Sequence, residues 1–151
     1  MRGPPASPVL TVPAGSTSSR WHSCGAAGQC STPRGTTLFY QDYEPALAFY
    51  RQVFGPPAYV EGDSTHGWQI GDTWLTLLRG RQGNPVNVEL SLVMPSAQEA
   101  ERLQQAFIAA GGAGPAPSNA LMYAPIRACP VTDPFGVTWM IFSRRAEPDA
   151  E

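Results

Sequence analysis

Residues 86–112, VNVELSLVMPSAQEAERLQQAFIAAGG, decide the fold. Val86, Val88, Leu90, Leu92 and Met94 alternate with Asn87, Glu89 and Ser91, the period of two that predicts a half-buried strand over Val86–Met94. Ser96-Ala97-Gln98-Glu99 is a capping box, whose serine and glutamate satisfy orphan N–H groups at the start of a helix. Ala100, Leu103, Phe107 and Ala110 then recur at helical spacing, and Gly111-Gly112 stops the run.

The same order occurs earlier, in 36–57, TTLFYQDYEPALAFYRQVFGPP. Thr36–Gln41 reads as a strand and Asp42 as an N-cap, with Pro45 in the first turn, where its missing N–H costs nothing. Ala46, Phe49, Tyr50 and Val53 form the helix stripe, and Gly55-Pro56-Pro57 ends it. Each helix is followed by three short predicted strands. The first set is Ala58–Glu61, His66–Ile70 and Thr73–Leu78; the second is Ala113–Ala116, Met122–Cys129 and Val137–Phe142. Thr73-Trp74-Leu75 echoes Thr138-Trp139-Met140, and Asp42 and Ser96 stand 54 residues apart. An α+β fold is therefore expected: two tandem βαβββ modules, about 35–79 and 86–143, forming a curved, cupped mixed sheet with the helices on its outer face. The free sheet face would then be a natural ligand site.

Outside the two modules the composition changes. Residues 1–34 are rich in Pro, Ser, Gly, Thr and Ala without apolar periodicity, so a disordered extension is expected there, with a short tail at 144–151. Arg2, Arg20 and Arg34 lie in that extension, leaving seven Arg against twelve Asp and Glu in the rest. Such an acidic domain is a poor partner for nucleic acid or an anionic membrane. The chain has no lysine, which excludes Schiff-base chemistry. No apolar run is long enough for a membrane span. Three cysteines, Cys24, Cys30 and Cys129, make an odd number without Cys-x-x-Cys spacing, as expected of a reduced, cytoplasmic protein.

Three motifs carry a resemblance to a known family. Phe49-Tyr50 within DYEPALAFYRQVFG (42–55) resembles the first-helix signature of the vicinal-oxygen-chelate superfamily, which includes glyoxalases, bleomycin-resistance proteins and dioxygenases. HGWQIGDTWLTLL (66–78) is similar to its end-of-module hairpin, and TDPFGVTWMIFS (132–143) to its last turn and strand. The Asp-x-Phe-Gly-x-x-Trp pattern at Asp133–Trp139 resembles the PhnB-like, glyoxalase-like subgroup. The resemblance implies metal ligands at four positions, which fall here on Gly35, Glu89, Met140 and either Leu75 or Thr76. Only one of these is a carboxylate, and His66 is the domain's single histidine. A divalent ion needs about three or four converging N, O or S ligands. No metal and no cofactor are therefore expected.

Glu89 sits mid-strand opposite the apolar stripe, either as an ordinary solvent-facing carboxylate or as a cavity anchor for a cationic or hydrogen-bonding ligand. Phe39, Ser91 and Met140 are expected on the same cavity wall, and His66 and Trp68 on a strand near it. Tyr123 and Arg127 are expected to overhang the mouth, Arg127 as a contact for anions. Against these roles stand structural ones: a surface or structural histidine, and a core or dimer-interface tryptophan. The expected function is a glyoxalase-like small-molecule-binding protein without a catalytic metal. The alternatives are a metal-dependent lyase or dioxygenase with a displaced site, and a non-catalytic dimeric interaction protein. A homodimer is expected, because members of this fold commonly complete the cup against a second chain.

Overall fold

The computed structural model describes residues 35–119 and 126–144. The first module runs β1 (Gly35–Tyr40), α1 (Tyr43–Phe54), β2 (Tyr59–Glu61), β3 (Thr65–Ile70) and β4 (Thr73–Arg79). The second runs β5 (Val88–Val93), α2 (Ala97–Ala109), β6 (Ile126–Thr132) and β7 (Val137–Arg144). Each module carries its own mixed sheet, ordered β1-β4-β3-β2 and β5-β7-β6, in which the module's first and last strands pair in parallel. The α+β architecture and the duplicated strand–helix–hairpin order are as the sequence predicts.

The two copies differ where proline intervenes. The predicted strand Ala113–Ala116 is reduced to isolated bridges, Ala113 with Thr132 and Ser118 with Ala128. Between them Pro115 and Pro117 have no N–H to give a ladder. The second sheet therefore has three named strands where the first has four. β5 also starts later than its apolar pattern, because Asn87 adopts φ 55°, a turn conformation that strands do not use.

The helix caps differ in kind. Ser96 accepts from the Glu99 N–H at 3.2 Å, as the capping box requires. Asp42 makes no side-chain cap bond. Instead its carboxylate accepts from Asn84 Nδ2 at 2.8 Å while its N–H donates to Asn84 Oδ1 at 2.9 Å.

Both helices pack on one side, and their apolar stripes meet. Phe49 and Phe54 of α1 contact Phe107 of α2, each with ring centroids 5.7 Å apart, and Trp139 of β7 closes the cluster at 5.5 Å from Phe107. The core is thus continuous across the modules.

Candidate functional site

Because side chains alternate along a strand, each sheet has one face under the helices and one face free. On β1, Leu38 and Tyr40 are buried while Thr37 and Phe39 are exposed. On β5, Val88, Leu90 and Leu92 pack against the core while Glu89, Ser91 and Val93 are exposed. On β7, Val137, Trp139, Ile141 and Ser143 are buried, which leaves Thr138, Met140 and Phe142 on the free face. The parallel register sets Glu89 beside Thr138 and Ser91 beside Met140. A hollow of about 340 Å³ opens here, lined by Asn87, Val88, Glu89, Gly136 and Thr138.

Four of the predicted contacts, Phe39, Glu89, Ser91 and Met140, are therefore on free sheet faces. Three others are drawn elsewhere by partners distant in sequence. Trp68 is 2% exposed under the helices and donates from Nε1 to the Gly55 carbonyl at 2.8 Å. His66, on the same buried face, shares a 2.5 Å hydrogen bond between Nδ1 and the Tyr43 hydroxyl. Arg127, expected at the cavity mouth, is turned toward α2. Its Nε donates to Glu101 at 2.7 Å and a terminal nitrogen donates to Asn119 at 3.1 Å. Tyr123 lies outside the described residues. Thr138 is not among the contacts the sequence predicts, although its spacing from Met140 already puts both on one strand face.

The register also resolves the implied ligand positions. Thr37 pairs with Thr76 as Ser91 pairs with Met140, so Thr76, not the buried Leu75, is the counterpart of Met140. The sequence echo of Thr73-Trp74 with Thr138-Trp139 is thus offset by one residue from the structural equivalence. A one-residue slip changes faces: Trp74 is partly exposed on the free face, whereas Trp139 is 2% exposed in the core. The four positions then carry no side chain, a hydroxyl, a carboxylate and a thioether. Among the described residues no three His, Cys, Asp or Glu side chains converge to hold a metal ion. The residues present do not fit the mononuclear centre that the resemblance implies.

His66 has a pH consequence of its own. Burial, and secondarily Arg51, hold its imidazole below the usual histidine range, against a smaller opposing effect of Glu44. Burial first, then Glu44, push the Tyr43 hydroxyl up to about 12, so it stays protonated. Arg79 lies over the Tyr43 ring at 4.8 Å and pairs with Glu44 at 2.6 Å. The folded state thus favours neutral His66. Its contribution to stability is complete above the unfolded histidine pKa, about 6.5, and is lost as pH falls from there through the lower folded-state value. Melting temperature should accordingly drop as pH falls from ~7 to ~5, and His66→Gln should flatten that drop. An equal drop in the variant would assign the effect to other groups.

Comparison with known proteins agrees with this geometry. The profile of the Glyoxalase/Bleomycin resistance protein/Dioxygenase superfamily matches residues 34–141. Among solved structures the fold is similar to a glyoxalase/bleomycin resistance protein/dioxygenase family enzyme from Burkholderia phytofirmans PsJN (TM-score 0.61, 18% identity, 74% of this chain and 98% of that one). It is similar to a glyoxalase/bleomycin resistance protein from Albidiferax ferrireducens T118 (TM-score 0.61, 18% identity, 76% and 100%). It is also similar to a lactoylglutathione lyase from Agrobacterium tumefaciens (TM-score 0.59, 18% identity, 76% and 95%). No curated protein matches in sequence. At these identities the structural likeness speaks for the fold alone, but the profile spans most of the domain, and the chain belongs to the glyoxalase/bleomycin resistance protein/dioxygenase superfamily.

Proposed function

We propose that this protein is a glyoxalase-like small-molecule-binding protein that works without a catalytic metal and takes its ligand on the free sheet face around Glu89. One observation carries the reading. Of the four positions where metal-using relatives are expected to place ligands, only Glu89 offers a strong donor, and it stands among hydroxyl and apolar neighbours. A carboxylate in such a hollow suits a cationic or hydrogen-bonding ligand. The Asp133-Pro134-Phe135-Gly136 turn with Trp139 supports placement in the PhnB-like subgroup. A buried, free Cys129 suits a reducing, cytoplasmic setting.

Protein purified without chelator should contain well under one equivalent of zinc, nickel, manganese or iron, and adding these ions should leave its melting temperature unchanged. A ligand that binds only the folded state adds about 2.7 kcal/mol at a hundredfold excess over its dissociation constant, so a tight site would be visible. Glu89→Gln should leave folding stability within about 0.5 kcal/mol, since the side chain is exposed and has no ion-pair partner among the described residues. One metal per chain, released by Glu89→Gln, would replace this reading with a metal-dependent lyase or dioxygenase.

The same proposal includes a homodimer. Val93 is 59% exposed and pairs in register with Phe142, so the free face of the second sheet presents apolar surface that a second copy would cover. Light scattering at tens of micromolar should read a dimer mass. A monomer mass there would remove the second copy from the site.

A further inference from the structure

A second, larger hollow of about 500 Å³ lies beside the β1 strand, under the segment 80–87 that leads from the first sheet to the second. Its lining includes Thr37 and Phe39 of β1, Arg79 and Arg81, and Pro85 with Val88. No aspartate or glutamate lines it, although acidic residues outnumber arginines in this domain. The Glu89 hollow has the opposite character, with a carboxylate and no basic residue. The two recesses therefore differ in the charge of their linings.

The two arginines are not equivalent. Arg79 is committed, paired with Glu44 at 2.6 Å and laid over the Tyr43 ring. Arg81 is exposed and, among the described residues, has no ion-pair or hydrogen-bond partner. The segment that carries it is latched to the end of β1. Gly83 N–H donates to Gln41 Oε1 at 2.8 Å and the Gln41 N–H donates to the Gly83 carbonyl at 3.2 Å. The reciprocal pair of bonds between Asp42 and Asn84 holds the next residue. The wall is thus preformed, which limits the ordering cost of binding. Across the hollow, Phe39 leaves 55% of its surface exposed on a strand whose alternate side chains are buried. One exposed phenylalanine is ordinary. Sharing a preformed, acid-free recess with an uncommitted guanidinium gives it a partner in recognition.

We propose that this recess binds a small, flat organic anion, an aromatic or conjugated carboxylate. Arg81 takes the carboxylate, for which its planar fork of donors is matched. The Phe39 ring, Pro85 and Val88 cover the apolar part, as in small-molecule sites where a few polar groups orient a mostly apolar ligand. The recess is within the range of roughly 300–1,000 Å³ usual for such sites. The site shares only Val88 with the Glu89 hollow and stands or falls without it.

The test uses the full chain with 2-naphthoate and its uncharged analogue 2-naphthamide, titrated by calorimetry at moderate ionic strength. Naphthoate should bind one per chain, and the amide roughly tenfold more weakly or worse, because it lacks the charge that pairs with the guanidinium. Arg81→Gln should weaken naphthoate by a similar factor, and Phe39→Ala should weaken acid and amide alike. Arg102→Gln, which removes an equal charge from the exposed surface of α2, should leave binding unchanged. Equal affinity for acid and amide, equal losses in the two arginine variants, or no saturable binding at millimolar naphthoate would each overturn the proposal. Melting curves verify that all three variants fold as the parent does.

Discussion

Replacing Asp133 with alanine is expected to destabilise the fold by about 3–5 kcal/mol, a large part of the 5–15 kcal/mol that holds a domain together. Asp133 is 4% exposed and its two carboxylate oxygens are fully engaged. Oδ1 accepts from the N–H groups of Phe135, Gly136 and Val137 at 2.9, 2.8 and 2.9 Å, which fixes the turn between β6 and β7. Oδ2 accepts from the hydroxyls of Tyr40 and Tyr50, both at 2.7 Å. Those tyrosines belong to β1 and α1, so one carboxylate of the second module is the acceptor for two buried donors of the first. Burial and the adjacent carboxylate push both hydroxyls far above their ordinary range, which keeps them protonated as donors. Trp139 Nε1 extends the chain by donating to the Tyr50 oxygen at 3.0 Å.

Alanine would leave three N–H groups and one of the two hydroxyls without an acceptor, since Tyr40 and Tyr50 can still share a hydrogen bond across 3.1 Å, and each unsatisfied buried group costs about 1–3 kcal/mol before relaxation and water entry reduce the sum. Asparagine keeps one carbonyl oxygen for the turn and should cost roughly half as much; Tyr40→Phe alone should cost about 1 kcal/mol. Urea denaturation followed by Trp fluorescence reads these differences. A loss below about 1 kcal/mol for Asp133→Ala would mean that the turn and the module junction are held by packing alone.

That network explains where the sequence was informative and where it was silent. Local signals were legible because their causes are local. The alternation in 88–93 gives a strand, Ser96 caps its helix, and Gly55 with two prolines ends the other. The sequence also identifies Asp133-Pro134-Phe135-Gly136 as a turn. It does not reveal the tyrosines on the other carboxylate oxygen, since they precede Asp133 by 93 and 83 residues. His66 and Arg127 moved away from the expected site for the same reason. Tyr43 and Glu101, which claim them, are 23 and 26 residues away. Trp74 and Trp139 show a subtler limit: similar local sequence fixed neither the register nor the face, which pairing with β1 and β5 decides. Of the candidate site, Glu89 and Ser91 were legible through period-two spacing, and Met140 through the resemblance of its turn and strand to the family. Arg81 was not, because an arginine between glycine and glutamine in a linker carries no local signal of a recess.

Phe107→Ala should cost about 3–5 kcal/mol, comparable to the loss of Asp133 but by a different route. Phe107 is fully buried, and its ring lies 5.7 Å from Phe49, 5.7 Å from Phe54, 6.4 Å from Tyr50 and 5.5 Å from Trp139. The first three belong to α1 and the last to β7, so a single side chain of α2 packs on both modules. Its truncation leaves a cavity walled by aromatic rings, with the backbone of α2 held in place; the Gly112 N–H donates to the Phe107 carbonyl at 2.8 Å. Such an apolar cavity stays dry, and a small aromatic such as benzene should enter it. Benzene is therefore expected to raise the melting temperature of Phe107→Ala and to leave the parent unchanged. No rise in the variant would mean that the helices collapse into the space, and the measured loss should then fall toward the lower end of the range. Tyr50 joins both devices, bonded to Asp133 and packed on Phe107. Sites that share a partner do not add. The double variant should consequently lose less than the sum of the two single losses, because once Phe107 has gone Tyr50 is free to shift and turn its hydroxyl to that of Tyr40, 3.1 Å away.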